Sequence, residues 1–235
     1  MILIADCHAS PRRGNEAEFA QLLDQLARTR HDVVFLGDIL DFWIALPGYE
    51  KELHRHFLQW CQRESGRRQV GFVEGNHEFF VARQHATAFS FCAPDEHVDG
   101  AGRLFIHGDT INRADRSQRL LRAVVKSRLI CWGEQVVPGA TWVAKVIKSH
   151  FESRRPAMAK YYPEAQVRAF VHAWFARGVK AVYMGHFHEA RVVEAPPGRI
   201  CQVVPPWCGT DLVGVIPEGG GPAEIRRCQE IPAES

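Results

Sequence analysis

Val33-Val34-Phe35-Leu36-Gly37-Asp38 is an apolar run stopped by a glycine and a carboxylate, and the same punctuation recurs along the chain. Ile2 to Ala5 leads into Asp6 and His8, and Val70 to Val73 leads into Gly75-Asn76-His77-Glu78. Leu104 to Ile106 leads into His107-Gly108-Asp109, and Ala181 to Met184 leads into Gly185-His186-Phe187-His188. Between the early runs lie periodic stretches, Glu16 to Arg30 and about Tyr49 to Glu64, with Asn15 and Glu18 spaced as a capping box for the first helix. Short apolar runs alternating with helices predict an α/β fold with a largely parallel sheet. After Lys180 short runs at Ala181 to Met184, Arg191 to Val193, Ile200 to Val204 and Leu212 to Ile216 predict sequential antiparallel strands, and Gly219 to Gly221 a turn.

Composition narrows the class. With 235 residues, 46% of them apolar, the chain can bury a substantial core without covalent staples. A net charge of +2 argues against a dedicated nucleic-acid binder. Seven cysteines, none paired at a two-residue gap, read as scattered intracellular thiols rather than a disulfide framework or zinc knuckle. The first residues lack a secretory pattern and no run is long enough to span a membrane, so the expected location is the cytoplasm, or a membrane surface without crossing it.

Residues 110 to 165 interrupt the alternation. They read as helical, with Leu121, Val125, Leu129 and Trp132 on one face and Val143, Val146, Ile147 and Phe151 on another. Eleven basic and four acidic residues make this segment +7, which leaves 18 basic and 23 acidic residues, or −5, for the remainder. The chain therefore divides into a body, 1–109 and 166–235, and a basic amphipathic helical insertion, 110–165.

Polar residues at successive strand ends carry the chemistry. In open α/β sheets, ligands bind where the carboxyl-end loops converge. Singly, each of these residues is an ordinary turn former. Jointly, carboxylates and imidazoles gathered there are costly unless a cation compensates them. Oxygen and nitrogen donors without a motif cysteine suit Mn, Fe or Zn. Cys7, between Asp6 and His8, faces the opposite way and reads as packing.

In that order and spacing, Asp6-X-His8, Gly37-Asp38, Gly75-Asn76-His77-Glu78, His107-Gly108-Asp109 and Gly185-His186-Phe187-His188 resemble the five blocks of the calcineurin-like metallophosphoesterase family. The resemblance spans residues 6 to 188 and departs from the family at Glu78, where many members have Asp. It implies two packed mixed sheets flanked by helices, a four-layer αββα sandwich, around a dinuclear centre. Asp6, His8, Asp38 and His188 would hold one divalent ion and Asp38, Asn76, His107 and His186 the other, with Mn²⁺ expected and Fe or Zn as alternatives. Asp38 would bridge them, and His77 would be the proton donor or electrostatic partner at the phosphoryl group. Asp41, Glu78 and Asp109 would orient ligand histidines.

Within the family, Gly37 to Trp43, His107 to Thr110, the helical insertion and Trp207 resemble the UDP-2,3-diacylglucosamine pyrophosphatases of lipid A synthesis. That resemblance implies cleavage of a lipid-linked nucleotide to UMP and 2,3-diacylglucosamine 1-phosphate. It also implies a lid that receives acyl chains and peripheral contact with the anionic inner face of the bacterial inner membrane. Trp43, Asp109, Lys145, Lys148 and Lys160 are the candidate substrate contacts. Many of those enzymes carry Arg where this chain has His77, and a histidine can protonate an alkoxide leaving group as Arg cannot. The alternative is accordingly a phosphodiesterase or phosphatase acting on another nucleotide or lipid.

Overall fold

The computed structural model describes residues 1–111 and 162–232. One sheet has the order β13-β12-β1-β2-β4-β6, with β1 Ile2–Ile4, β2 Val33–Phe35, β4 Val70–Val73, β6 Phe91–Ala93, β12 Leu212–Val215 and β13 Glu224–Arg227. The other has the order β10-β11-β9-β8-β7, with β7 Glu96–Val98, β8 Arg103–Ile106, β9 Ala181–Met184, β10 Arg191–Val193 and β11 Ile200–Val203. A small parallel pair joins β3 Trp43–Ile44 to β5 Glu78–Phe79.

Strand alternation builds the layers. Ile2 and Ile4 of β1, like Val33 and Phe35 of β2, enter a core with α1 Glu16–Ala27 and α2 Glu52–Ser65. Leu3 and Val34 point the other way and meet Phe105 and Tyr183 between the sheets. On the far side Leu104, Ile106, Val182 and Met184 pack against Val167, Val171 and Phe175 of α4 Glu164–Ala176. A short helix α3, Val81–Gln84, precedes β6. The order helix, sheet, sheet, helix is the sandwich that the family resemblance implies. Strands buried on both faces read as continuous apolar runs for the same reason.

Several local expectations change. β1, β2, β4 and β6 run parallel, as do β8 and β9, but β11 also pairs parallel with β9, Ile200 opposite Ala181. The late strands are therefore not a sequential antiparallel meander. β10 sits outside β11 and pairs with it antiparallel, and β12 crosses to the first sheet to pair antiparallel with β1 and β13. The Asn15 capping box does not form. Asn15 makes no cap bond and turns back, accepting from the Ser10 N–H at 3.0 Å and donating to the Cys7 carbonyl. Helix α2 begins at Glu52, where the Lys51 N–H donates to His54 Nδ1 at 3.1 Å. Helix α4 crosses the expected boundary at residue 165, and the predicted insertion helices otherwise fall outside the described residues.

The helix layer over the first sheet is pinned by one buried ion pair. Arg68 donates to Glu64 Oε2 at 2.8 Å and to the carbonyls of Leu26, Thr29 and His31 past the end of α1, closing α2 onto α1. Removing one partner of a buried pair leaves an uncompensated charge. Arg68→Met is expected to lower stability by about 3 kcal/mol, read as a shifted urea midpoint.

Candidate metal centre

Each expected ligand sits just beyond a parallel strand, and the backbone there is unusual. Asp6, His8, Asp38, His186 and His188 all have φ between 46° and 72°, the left-handed region that residues with a Cβ seldom adopt. Loop pairing holds them in it. The Asp6 N–H donates to the Gly37 carbonyl at 3.1 Å, His8 N–H to Asp38 at 2.9 Å, and Gly185 N–H to His107 at 3.0 Å. Across the sheets, the His186 N–H donates to Asp6 Oδ2 at 2.8 Å.

Glycine is required where two such loops touch. A Cβ on Gly75 would lie 2.2 Å from Asp38 Oδ1, and one on Gly37 would lie 2.6 Å from the Gly75 nitrogen. The buried Glu78 carboxylate closes the same junction: Oε2 accepts from the N–H groups of Asp38 and Gly75, both at 2.8 Å. Its Oε1 accepts from Ile39 at 2.8 Å and Leu40 at 3.3 Å. Glu78 thus supports the turns of the centre, which answers its departure from Asp.

Donor atoms converge in three overlapping groups, each within 4.8 Å: Asp6, His8 and His188; His8, Asp38 and His77; Asp38, His107 and His186. His188 Nε2 lies 3.1 Å from Asp6 Oδ1 and 3.5 Å from His8 Nε2. His107 Nδ1–H donates to the Leu36 carbonyl at 2.7 Å, which turns the Nε2 lone pair inward. That Nε2 faces Asp38 Oδ2 at 3.3 Å, Asn76 Oδ1 at 3.3 Å and His186 Nδ1 at 3.2 Å. Acceptor atoms so placed repel one another unless a cation or proton stands among them, so the donor set fits bound metal.

The buried charges of the centre also act strongly on one another. Burial opposes ionisation of Asp38, but His107, His77 and His8 outweigh it and hold its carboxyl well below the usual carboxylate range. Burial would lower His107, yet Asp38 and more distant Asp6 and Asp109 raise it to about 9. Burial and Asp38 push the Glu78 carboxyl up to about 8 against the pull of its N–H donors.

His77 lies beside the expected ligands, its Nε2 3.8 Å from Asp38 Oδ2 and its ring centroid 4.8 Å from that of His8. Its Nδ1–H donates to the Asp41 carbonyl. Asp41 orients this ring by its backbone, while its carboxylate pairs with Arg13 at 2.9 Å, a partner the sequence does not announce. Asp109 is half-buried beside His107. Trp43 is not brought to the centre. It is fully buried against Phe57 and Phe72, and its Nε1–H donates to Glu50 at 2.9 Å. Cys7 is likewise fully buried in the core. Lys145, Lys148 and Lys160 lie outside the described residues.

A model of the calcineurin-like phosphoesterase family matches residues 1–190. Among curated proteins, a UDP-2,3-diacylglucosamine hydrolase of Pasteurella multocida is 26% identical over 88% of this chain and 90% of its own length. One of Pseudomonas paraeruginosa is 26% identical over 85% and 88% respectively. A solved dimetal phosphatase from Danio rerio is 14% identical, with a TM-score of 0.42 over 91% of each chain.

Gly75→Ala tests the junction. The added methyl overlaps Asp38, so the variant is expected to keep its far-ultraviolet circular dichroism while retaining less than half the metal per chain of the parent, measured by elemental analysis.

Proposed function

Because the chain belongs to the calcineurin-like phosphoesterase family, we propose that it is a dinuclear phosphohydrolase acting on a lipid-linked nucleoside diphosphate. The substrate class is UDP-2,3-diacylglucosamine, and the products are UMP and 2,3-diacylglucosamine 1-phosphate. The observation that carries the reading is the pair of ligand groups, Asp6, His8 and His188 against Asp38, His107 and His186, with Asp38 also beside His8 and His77. In this reading Asp6, His8, Asp38 and His188 hold one ion and Asp38, Asn76, His107 and His186 the other, both Mn²⁺. Relatives of about one quarter identity along nearly their whole length support the substrate.

Two divalent ions there supply charge to offset that building on a phosphoryl group and activate water for in-line attack. The protein's own groups do the rest. Asp38 would be shared by both ions from its fully buried position, and the Asp6 carboxylate, which accepts from the His186 N–H, ties the loop after β1 to the loop after β9. His77, anchored through Nδ1, turns Nε2 to the phosphoryl group as a hydrogen-bond or proton donor.

The insertion is assigned to substrate and membrane. Its basic residues, Lys145, Lys148 and Lys160 among them, attract an anionic lipid surface, and its apolar faces receive acyl chains. Among the described residues no helix is long and apolar enough to cross a membrane. In this reading the basic insertion holds the enzyme peripherally at the cytoplasmic face of the inner membrane. Reversing charge at Lys145, Lys148, Arg154 and Arg155 is expected to weaken binding to anionic vesicles in a salt-dependent way, with hydrolysis of a small chromogenic diester changed less than twofold. Unchanged vesicle sedimentation would remove the membrane role.

His77 favours a second reading, a phosphodiesterase or phosphatase whose leaving group needs a proton. UMP release with Mn²⁺ from UDP-2,3-diacylglucosamine and from its deacylated form separates the two. Each buried methylene contributes about 0.8 kcal/mol, so the acylated substrate is expected to be turned over at least a hundredfold more efficiently. Equal rates, or rapid phosphomonoester cleavage without UMP from either, would select the second reading.

A further inference from the structure

The loops that carry Asp6, His8 and Asp38 run side by side, zipped by main-chain bonds. After the His8 bond to Asp38, the Ala9 N–H donates to Ile39 at 2.9 Å and the Asp41 N–H to Ala9 at 3.1 Å. Immediately beyond that bond, Arg13 Nε donates to Asp41 Oδ1 at 2.9 Å, and the Asp41 carbonyl accepts from His77 Nδ1. Arg13 does not reach Asp41 on a loose stem. Its own N–H donates to the Ser10 carbonyl at 3.1 Å, the Ser10 N–H donates to Asn15 Oδ1 at 3.0 Å, and Asn15 Nδ2 donates to the Cys7 carbonyl at 3.2 Å. The turn is thereby tied to the strand end between two expected ligands.

We propose that Arg13 is a positioning residue for His77: through its ion pair it fixes the Asp41 peptide, whose carbonyl holds the imidazole with Nε2 directed at the reacting phosphoryl group. This rests on the reading of His77 as the donor to the leaving oxygen. Without Arg13 the Asp41 side chain loses its anchor, the Asp41 carbonyl is held only by the main-chain bonds on either side of it, and the acceptor that orients the ring is less firmly fixed. In the step so served, water adds to phosphorus and the ester P–O bond breaks. The leaving oxygen takes a proton from His77 Nε2, and the proton shed by the attacking water passes to solvent, from which the ring is reprotonated. The effect of Arg13 is confined to substrates whose leaving group needs that proton. A partly exposed ion pair contributes little to fold stability, so a positioning role and a structural role separate experimentally.

The test combines Arg13→Gln, Arg13→Lys and His77→Gln in the metal-loaded enzyme, with phenyl phosphate and 4-nitrophenyl phosphate as probes. Arg13→Gln is expected to lower kcat on phenyl phosphate about tenfold, a fraction of the full general-acid contribution. KM should stay within twofold, metal per chain unchanged, and the loss on 4-nitrophenyl phosphate below twofold. Arg13→Lys is expected to recover most of the rate. Placed on His77→Gln, Arg13→Gln should have no further effect. In Zn²⁺-loaded protein the downfield proton resonance of the His77 Nδ1–H is expected to be lost in Arg13→Gln and retained in Arg13→Lys, a readout independent of turnover. An unchanged kcat in Arg13→Gln, an equal loss on the His77→Gln background, or loss of metal would overturn the proposal while leaving His77 as donor. If His77→Gln alone left kcat on phenyl phosphate unchanged, the donor reading would fail and the role of Arg13 with it.

Discussion

The centre depends on one buried carboxyl group. Glu78 accepts four backbone N–H groups, from Gly75, Asp38, Ile39 and Leu40, and so joins the turns that follow β2 and β4. Charge-assisted bonds of this kind are about twice as strong as neutral ones. They also choose a protonation state: four converging donors are satisfied by a carboxylate, whereas a protonated acid would aim its own O–H at one of them. Burial and Asp38 work against that ionisation and push the group up to about 8. The turn geometry and the burial therefore pull in opposite directions, and the four N–H groups are what favour the charged form. Each oxygen spans two N–H groups, and the longer arm of Glu lets both oxygens reach across the junction.

Backbone strain then becomes intelligible. Non-glycine residues with positive φ cost about 1 to 2 kcal/mol each, and five of those among the described residues are expected ligands. Such conformations persist only where the surroundings over-determine them. Here the loops are tied to one another, and glycine occupies the points where a Cβ would strike Asp38 or the Gly75 backbone. The left-handed ligands follow β1, β2 and β9, and with His77 after β4 and His107 after β8 the donor atoms from five strand ends form groups within 4.8 Å.

This explains what was legible in the sequence. The strands are legible as hydrophobic runs, because a strand buried on both faces must be apolar throughout, and polar candidates for the site end those runs. The two-sheet layering and the ligand sets were implied only by the family resemblance. The parallel return of β11 beside β9 was not legible, because short apolar runs separated by Pro and Gly look alike whichever direction they pair. β3 and β5, two residues each, carry no period at all. Trp43 shows the limit of adjacency: five residues from Asp38 in the chain, it enters the core because β3 pairs with β5 beneath α2. Asn15 had the right spacing for a cap, but two bonds to the preceding loop outcompete one to its own helix. The Arg13 to Asp41 pair spans 28 positions and exists only because the two loops are zipped together.

The charge distribution gives the last step. Asp6, Asp38 and Glu78 are all fully buried at the junction, and the body around them is net −5. An approaching phosphate ester is repelled by such carboxylate charge, and repulsion between like charges grows as water is excluded. With two divalent cations bound, the local sign reverses, so cation binding governs the entry of an anionic substrate as well as its cleavage. Under the proposed function, the +7 carried by residues 110 to 165 supplies a second compensation. Because solvent-exposed charges are screened over about 8 Å at physiological ionic strength and buried ones much less, added salt separates that proposed contribution from the one made at the buried centre.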